Sequence, residues 1–343
     1  MDQAILRIAA FVLAVPAGTW AQPQPRTIFK ERINLTDNEI QHIEHGQVVT
    51  KVLNSAGNYG VLVFGAVYIN SPIEKFVRSF RNIQKLKENK VYLDLQEFSV
   101  GGAPPKLSDF DRLTLEKKDI DELETCKPGD CDIQVFDDLE AFQKRIDWKS
   151  DRYAQANRAV RQRVLEGMTT YLAGGLKAFG NYRDRQKALN LYEATRQMVD
   201  SSFYLPQDRA PEIYRHVVDY PKGKLPGAED FFYWEKIDFG QEPTLRVNHV
   251  SIFPKGFGAA KVVIANKQLY ASRYIRVALQ MFYCISDTEH PEKPGFFLVE
   301  MNDSRLPDFG GLKLAVVRKV ATGKSVDATR DTLSMYAARL NAH

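Results

Sequence analysis

Histidines and carboxylates are where chemistry would begin in this chain, and a few groupings are close enough in sequence to test. His42-Ile43-Glu44-His45 places two imidazoles three residues apart, on one face if the segment is helical. The string matches neither HExxH nor HxxEH, falling one residue short of the second. Histidines in the last turn of a helix are favoured by its dipole, so we read the pair as helix-end residues, not ligands. Asp109 and Asp111 are followed by no calcium-loop spacing. His249 shares its parity with Leu245 and Val247 on an extended run. It therefore points inward, either binding a ligand's polar end or satisfied by a neighbour in the core. Glu300 alternates with Phe296 and Leu298, and a carboxylate on an apolar strand face has to be paired. Arg276 or Arg318 is the expected partner. Arg246, on the parity opposite His249, reads as solvent-facing.

The chain has three cysteines, and two of them flank a turn in Cys126-Lys-Pro-Gly-Asp-Cys131. Zinc would need a second pair or histidines at ligand spacing, and neither follows. Pro128-Gly129 suits a type II turn, which draws the flanking residues together. The expectation is a structural disulfide between Cys126 and Cys131, whose small loop contributes about 2 kcal/mol. Cys284 is left as a buried free thiol. The sequence contains no Gly-x-Ser-x-Gly elbow, Walker loop, dinucleotide fingerprint or zinc signature. No catalytic residue, cofactor or metal is assigned.

The elements that must position these residues begin after a short leader. MDQAILRIAAFVLAVPAGTWAQ has Arg7, an apolar run from Ile8 to Val15 and small residues up to Ala21. This is a secretory pattern, cut after Ala21, so the protein is expected outside the cytoplasm, periplasmic or secreted. The apolar run falls short of the roughly 18 residues a membrane span needs. Of the 343 residues 44% are hydrophobic and 26% charged, enough for a full core, with disorder expected only at Gln22 to Arg26. A net charge of +4 with no long basic run gives nucleic-acid binding no support.

Thr36-Asp-Asn-Glu39 is a capping box opening a helix over 37–45. A hairpin follows over 48–53 and 59–69, and Ser71-Pro-Ile-Glu74 starts an amphipathic helix. A strand over 91–99 precedes a mostly helical stretch from about 106 to 220, with helices over 150–179, 184–202 and 211–219. Strands resume over 231–237, 244–253 (with a bulge near 249), 261–270, 272–286 and 295–302. An apolar stretch, Leu312 to Val317, precedes a final helix of about sixteen residues capped by Ser325. The block Phe231-Phe-Tyr-Trp234 puts bulky rings on both faces of its strand. Most telling is 271–287, where every odd position from Ile275 to Ile285 is apolar or aromatic, a period-two pattern read as one very long strand.

The segment AVYINSPIEKFVRSF, a strand running into a proline-capped helix, resembles the first strand and helix of the START-like, helix-grip superfamily of hydrophobic-ligand-binding proteins. The long strands and terminal helix of 230–340 look like the rest of that fold. The resemblance implies an α+β domain, a curved antiparallel sheet gripping a C-terminal helix with a cavity between them. The division is then a signal peptide at 1–21, a first part of the domain at 22–105, a helical insertion at 106–220, and a meander with the final helix at 221–343.

Three functions follow as expectations. The first is an exported protein that holds a hydrophobic or lipid-like small molecule between sheet and helix. Val277, Leu279, Met281 and Tyr283 line its site, with Leu333 and Tyr336 opposite and His249 fixing orientation. The second is an enzyme on the same scaffold, hydrolase or cyclase in type, with His249 or Glu300 as general base. The third is a non-catalytic envelope module with a solid core, its insertion docking a protein partner.

Overall fold

The alternating segments meet in one eight-stranded antiparallel sheet in a computed structural model, which describes residues 24–341 apart from 56, 58, 89, 100–102, 239, 241, 289, 291–294, 309 and 310. The leader read at 1–21 lies outside the described residues. The first half holds helices α1 (Pro25–Glu31) and α2 (Asp37–Glu44), strands β1 (Val49–Leu53) and β2 (Gly60–Ile69), helix α3 (Ile73–Arg81) and strand β3 (Tyr92–Phe98). Helices α4 (Lys117–Thr125), α5 (Leu139–Gln143) and α6 (Arg152–Gly174) follow, then a small hairpin of β4 (Asn181–Tyr182) and β5 (Leu189–Asn190), and helices α7 (Leu191–Asp200) and α8 (Pro211–Asp219). Strands β6 (Glu229–Ile237), β7 (Thr244–Phe253), β8 (Ala260–Ala271), β9 (Val277–Ser286) and β10 (Phe296–Arg305) lead to helix α9 (Gly311–Asn341). The strand order is β1-β2-β10-β9-β8-β7-β6-β3. The first hairpin thus closes against the last strand, and a mixed α+β domain is completed only when both ends of the chain are present.

Local chemistry explains most boundaries. Thr36 and Glu39 form the expected reciprocal cap of α2. At α3 the expected capping box does not form: Pro72 is the N-cap and no side chain caps it. The helix is held by its apolar stripe instead, Phe76 and Phe80 being buried. Helix α6 is capped by Asp151, not Ser150, and stops at Gly175. Pro25 and Arg26, expected to be disordered, belong to α1, where Arg26 binds both carboxylate oxygens of Glu44 at 2.6 Å.

Two readings of the C-terminal third are corrected. The stretch 271–287 is not one strand: β8 ends at Ala271 and β9 starts at Val277. Between them Tyr274 takes a left-handed φ of 63°. The turn is held by buried ion pairs to the insertion, Arg273 with Asp119 and Arg276 with Asp184, the latter at 2.5 Å. The final helix is also longer than expected. Ser325 sits in its interior, and α9 runs unbroken for 31 residues, about 46 Å. Gly65 on β2 lets it seat closely, because a Cβ there would overlap Thr329 and lie 2.7 Å from Leu333 Cδ1.

The sheet is covered on both faces. On one face α3 and α9 pack over β2, β7, β9 and β10, with Phe76, Phe80, Phe282, Phe296, Leu333 and Tyr336 in one cluster. On the other, α1, α2, α7 and α8 pack on β9 and β10 through Phe29, Ile40, Met198 and Ile213. Helices α4, α5 and α6 cover Phe232, Trp234, Leu245 and Val247 of β6 and β7 on that same side. The helical stretch 106–220 thus makes a third layer over a sheet that α9 grips from the other side.

Candidate functional site

Between the α9 face of the sheet and the N-terminal half of α9 lies a cavity of about 990 Å³. Its helix wall starts apolar, with Val316, Val317, Val320 and Ala321, and turns polar further along α9, with Lys324, Asp327, Asp331 and Thr332. The sheet wall is different. Side chains of one parity on successive strands bring Glu235 from β6, Arg246 from β7, Asn266 from β8, Gln280 from β9 and Asn302 from β10 to the cavity. The register makes them neighbours: Glu235 pairs with Arg246, Asn266 with Gln280, and Gln280 with Asn302. Further along the same face, Val250 and Phe282 turn the wall apolar where it meets Tyr336. The insertion builds part of the rim, contributing Lys118, Asp132, Asp184 and Arg185.

The polar wall holds two hydrogen-bonded groups, one around Glu235 and one running from Asn266 to Glu300. Glu235 Oε1 lies 3.2 Å from Arg246 Nε and accepts from Asn248 Nδ2 at 2.9 Å. Burial pushes the Glu235 carboxyl up, against the pull of Arg246 and the Asn248 bond. Asn266 Nδ2 donates to the Tyr233 hydroxyl at 2.9 Å and to Gln280 Oε1 at 3.3 Å. Gln280 Nε2 in turn donates to Glu300 Oε1 at 2.8 Å, which also accepts from Thr329 of α9 at 3.3 Å. Burial raises the Glu300 pKa to about 8, although both hydrogen bonds lower it. Chemically, the wall can orient a polar ligand, and Glu235 is a buried carboxylate within the cavity.

The predicted site residues divide between the two faces. Tyr336 lines the cavity, and Leu333 packs in the cluster beside it. Val277, Leu279, Met281 and Tyr283 do not face α9. They lie in the cluster formed with the N-terminal helices and the insertion, where the Tyr283 hydroxyl donates to the Tyr204 carbonyl at 2.6 Å. Ala278, Gln280 and Phe282 of β9 line the cavity instead. Arg246 is corrected from solvent to cavity wall, and Glu300 pairs with neither Arg276 nor Arg318 but with Gln280 and Thr329. The bulge expected near 249 is where β7 meets β8, between Val247 and Asn248. Cys126 and Cys131 sit at disulfide distance, with Cα atoms 5.2 Å apart, and Cys284 is a buried free thiol. Asp109 accepts from the Lys106 backbone N–H at 2.8 Å, closing a local turn.

His249 is a satisfied core histidine on the face away from the cavity. Its Nε2 lies 3.0 Å from Asp230 Oδ1 and its Nδ1 2.7 Å from the Tyr171 hydroxyl. His216 Nε2 and Ser251 Oγ reach the same Asp230 oxygen, at 2.9 and 2.8 Å. The donors of His216, Asp230 and His249 are near enough to hold a metal, but His216 does not fit one there. Its Nδ1 accepts from the Leu225 N–H at 2.9 Å, so a neutral ring carries its proton on Nε2, the atom a metal would need. The cluster closes as one carboxylate oxygen shared by two imidazoles and a hydroxyl. Burial lowers His249 to about 4, and although burial alone would raise Asp230, hydrogen bonds from both histidines hold it well below the usual carboxylate range.

Sequence reasoning missed Glu235, Asn266, Gln280 and Asn302. The available signal was an isolated amide or carboxylate at one parity of each successive strand, which marks a shared depth once the register is known. A second, mainly apolar cavity of about 290 Å³ lies between α6 and the other face of the sheet, lined by Val160, Val164, Met168, Val247 and Leu269.

Among the described residues no helix is long and apolar enough to cross a membrane. No protein-family model matches the chain, and none of the curated proteins does. Among solved structures it is similar to the Zhui aromatase/cyclase from Streptomyces sp. R1128, at 16% identity over 35% of this chain and 72% of that one, with a TM-score of 0.26. It is also similar to a START superfamily protein from Mycobacterium smegmatis, at 11% identity over 43% of this chain and 88% of that one, with a TM-score of 0.23. Likenesses this slight carry no argument; what the structure shows is a mixed α+β domain whose large antiparallel sheet is gripped by a long C-terminal helix seated against β1, β2 and β10.

Proposed function

We propose that this protein binds one small molecule of mixed character in the cavity between the sheet and α9. The supporting observation is the mixed lining, with Val316, Val317, Val320 and Ala321 of the helix facing hydrogen-bonded polar side chains on the sheet. Burial of the ligand's apolar side drives association at roughly 25 cal/mol per Å², and the polar band fixes its orientation. A purely lipid-like ligand would strand that band, so the ligand carries polar groups. The leader at 1–21 supports a carrier or sensor acting outside the cytoplasm. One observation favours a second reading, an enzyme: Glu235 is a buried carboxylate in the cavity with a raised pKa, a fit group for proton transfer.

Adjacent residues on opposite faces of β9 supply the test. Ala278 lines the cavity, whereas Leu279 is in the packed cluster on the other face. Ala278→Trp is expected to abolish uptake of the apolar dye Nile red at little cost in stability. Leu279→Trp should keep uptake and lose about 1–3 kcal/mol by overpacking. Undiminished uptake by a folded Ala278→Trp variant would defeat the reading.

A further inference from the structure

The smaller cavity, of about 290 Å³, is built largely by the insertion. Leu123 of α4, Phe142 of α5 and Val160 of α6 form its sides, and Val247 of β7 and Leu269 of β8 form its floor on the sheet face away from α9. Two observations indicate an occupant.

The first is Gly167. It stands in the interior of α6, where glycine weakens a helix relative to other residues except proline. It lines the cavity one turn beyond Arg163 and Val164, which line it too. A Cβ at this position would meet no atom within 4 Å, so no described part of the chain uses the room that the glycine leaves. Val164 and Gly167 are half-buried and Thr170 of the same lining is exposed, which places this side of the cavity next to solvent.

The second is the chemistry of the walls. Four rings, Phe136, Phe142, Phe179 and Tyr270, line the cavity together with the Met168 thioether. Phe136 stands edge-on to Phe179 at 6.3 Å and stacks with Tyr270 at 6.0 Å, so these rings hold one another in place. Such walls suit an aromatic guest, through ring contacts and through sulfur. The charged side chains of the lining are Asp138, Arg163 and Glu166, and each is matched: Arg163 donates to Asp138 at 2.8 Å and Arg145 to Glu166 at 2.9 Å. An ionic guest would find no counter-charge among them. In size, a cavity of roughly 150 Å³ lined by aliphatic and aromatic side chains takes up benzene, and this one is about twice as large.

We infer that this cavity is a second binding site, for a flat, neutral aromatic molecule of two fused rings that lies against Met168 and fills the room beside Gly167. It is separate from the site against α9 and does not depend on the reading of that site.

Naphthalene, decalin and naphthoate are each titrated into the full chain carrying methyl-labelled methionine. The reporter is the Met168 methyl signal, assigned from its loss in Met168→Leu. Naphthalene is expected to shift this signal to saturation through its ring current. Decalin should bind at least roughly threefold more weakly, for want of ring-on-ring contact. Naphthoate should bind at least about tenfold more weakly, because its carboxylate would be buried unpaired. Gly167→Leu should abolish the naphthalene shift and keep Nile red uptake, whereas Ala278→Trp should keep the shift and lose the dye. A Met168 signal indifferent to naphthalene would overturn the inference, as would a shift that survives in folded Gly167→Leu. Decalin or naphthoate binding as tightly as naphthalene would overturn the ligand class. If Gly167→Leu does not fold, the parent protein's Met168 shift and the order of the three molecules decide. Failure of the dye alone would leave this site standing.

Discussion

Glu300 illustrates how a single residue is only half legible in sequence. Its burial follows from alternation with Phe296 and Leu298, and the need for a partner follows from burial. The partner's identity does not, because Gln280 and Thr329 are 20 and 29 residues away and come together only through strand register and helix docking. Arg246 was misplaced for a related reason: parity separates the two faces of a strand, but it does not tell solvent from cavity. His249, by contrast, was readable as inward-facing, and one of its two expected roles, a satisfied core residue, is the observed one. A pH dependence belongs to Glu300. Its carboxyl has an ordinary value of 4.5 that burial raises to about 8 in the folded protein, so folding favours the protonated form. Stability from this group is fully present below about 4.5 and is lost as pH rises through about 8. Denaturant titrations should show Glu300→Gln gaining on the parent protein across that window, by on the order of a few kcal/mol at its alkaline end. Parallel curves for the two proteins would mean that Glu300 is ionised without penalty.

At the scale of elements, strands were easier to read than the last helix. The long strands are buried along nearly their whole length and read as apolar runs, whereas the first half of α9 borders the cavity and solvent and its inward residues, Val317, Ala321 and Val326, are only partly buried. Leu312, Val316 and Val320 are exposed, which is why Leu312 to Val317 resembled a separate apolar segment ending before Ser325. The regular stripe of Thr329, Leu333, Tyr336 and Leu340 begins only where α9 reaches the filled part of the core. A proline distinguishes the two descriptions. At a helix start it is tolerated, but in the interior it removes a hydrogen bond and clashes with the preceding turn. Ser325→Pro should therefore cost about 3 kcal/mol and weaken dye uptake, because Val316, Val317, Val320 and Ala321 are carried on the half of the helix that would swing free. A thermal melt within a degree or two of the parent protein's would contradict a continuous helix.

At the scale of the whole molecule, the alternation in 275–285 was read correctly and assigned to the wrong side. An apolar face was expected to meet the terminal helix, but the odd residues of β9 pack on the N-terminal helices and the insertion, and the even face, with Gln280, looks into the cavity. Sequence alone does not say which of two helical layers covers which face. The insertion matters because it buries one side of the sheet and pins the β8–β9 turn through Asp119 and Asp184. Its apolar side chains share clusters with β6, β7, β8 and β9, so residues 106–220 expressed alone should melt without cooperativity. A sharp, reversible transition in calorimetry would show an independent domain instead.

The central claim is an occupied cavity between sheet and helix, and native mass spectrometry of the protein recovered from its own source tests it most directly. The account predicts a bound small molecule, released on collisional activation, and its absence from an Ala278→Trp variant prepared in the same way. A parent protein that carries nothing, or a variant that retains the same adduct, would contradict it.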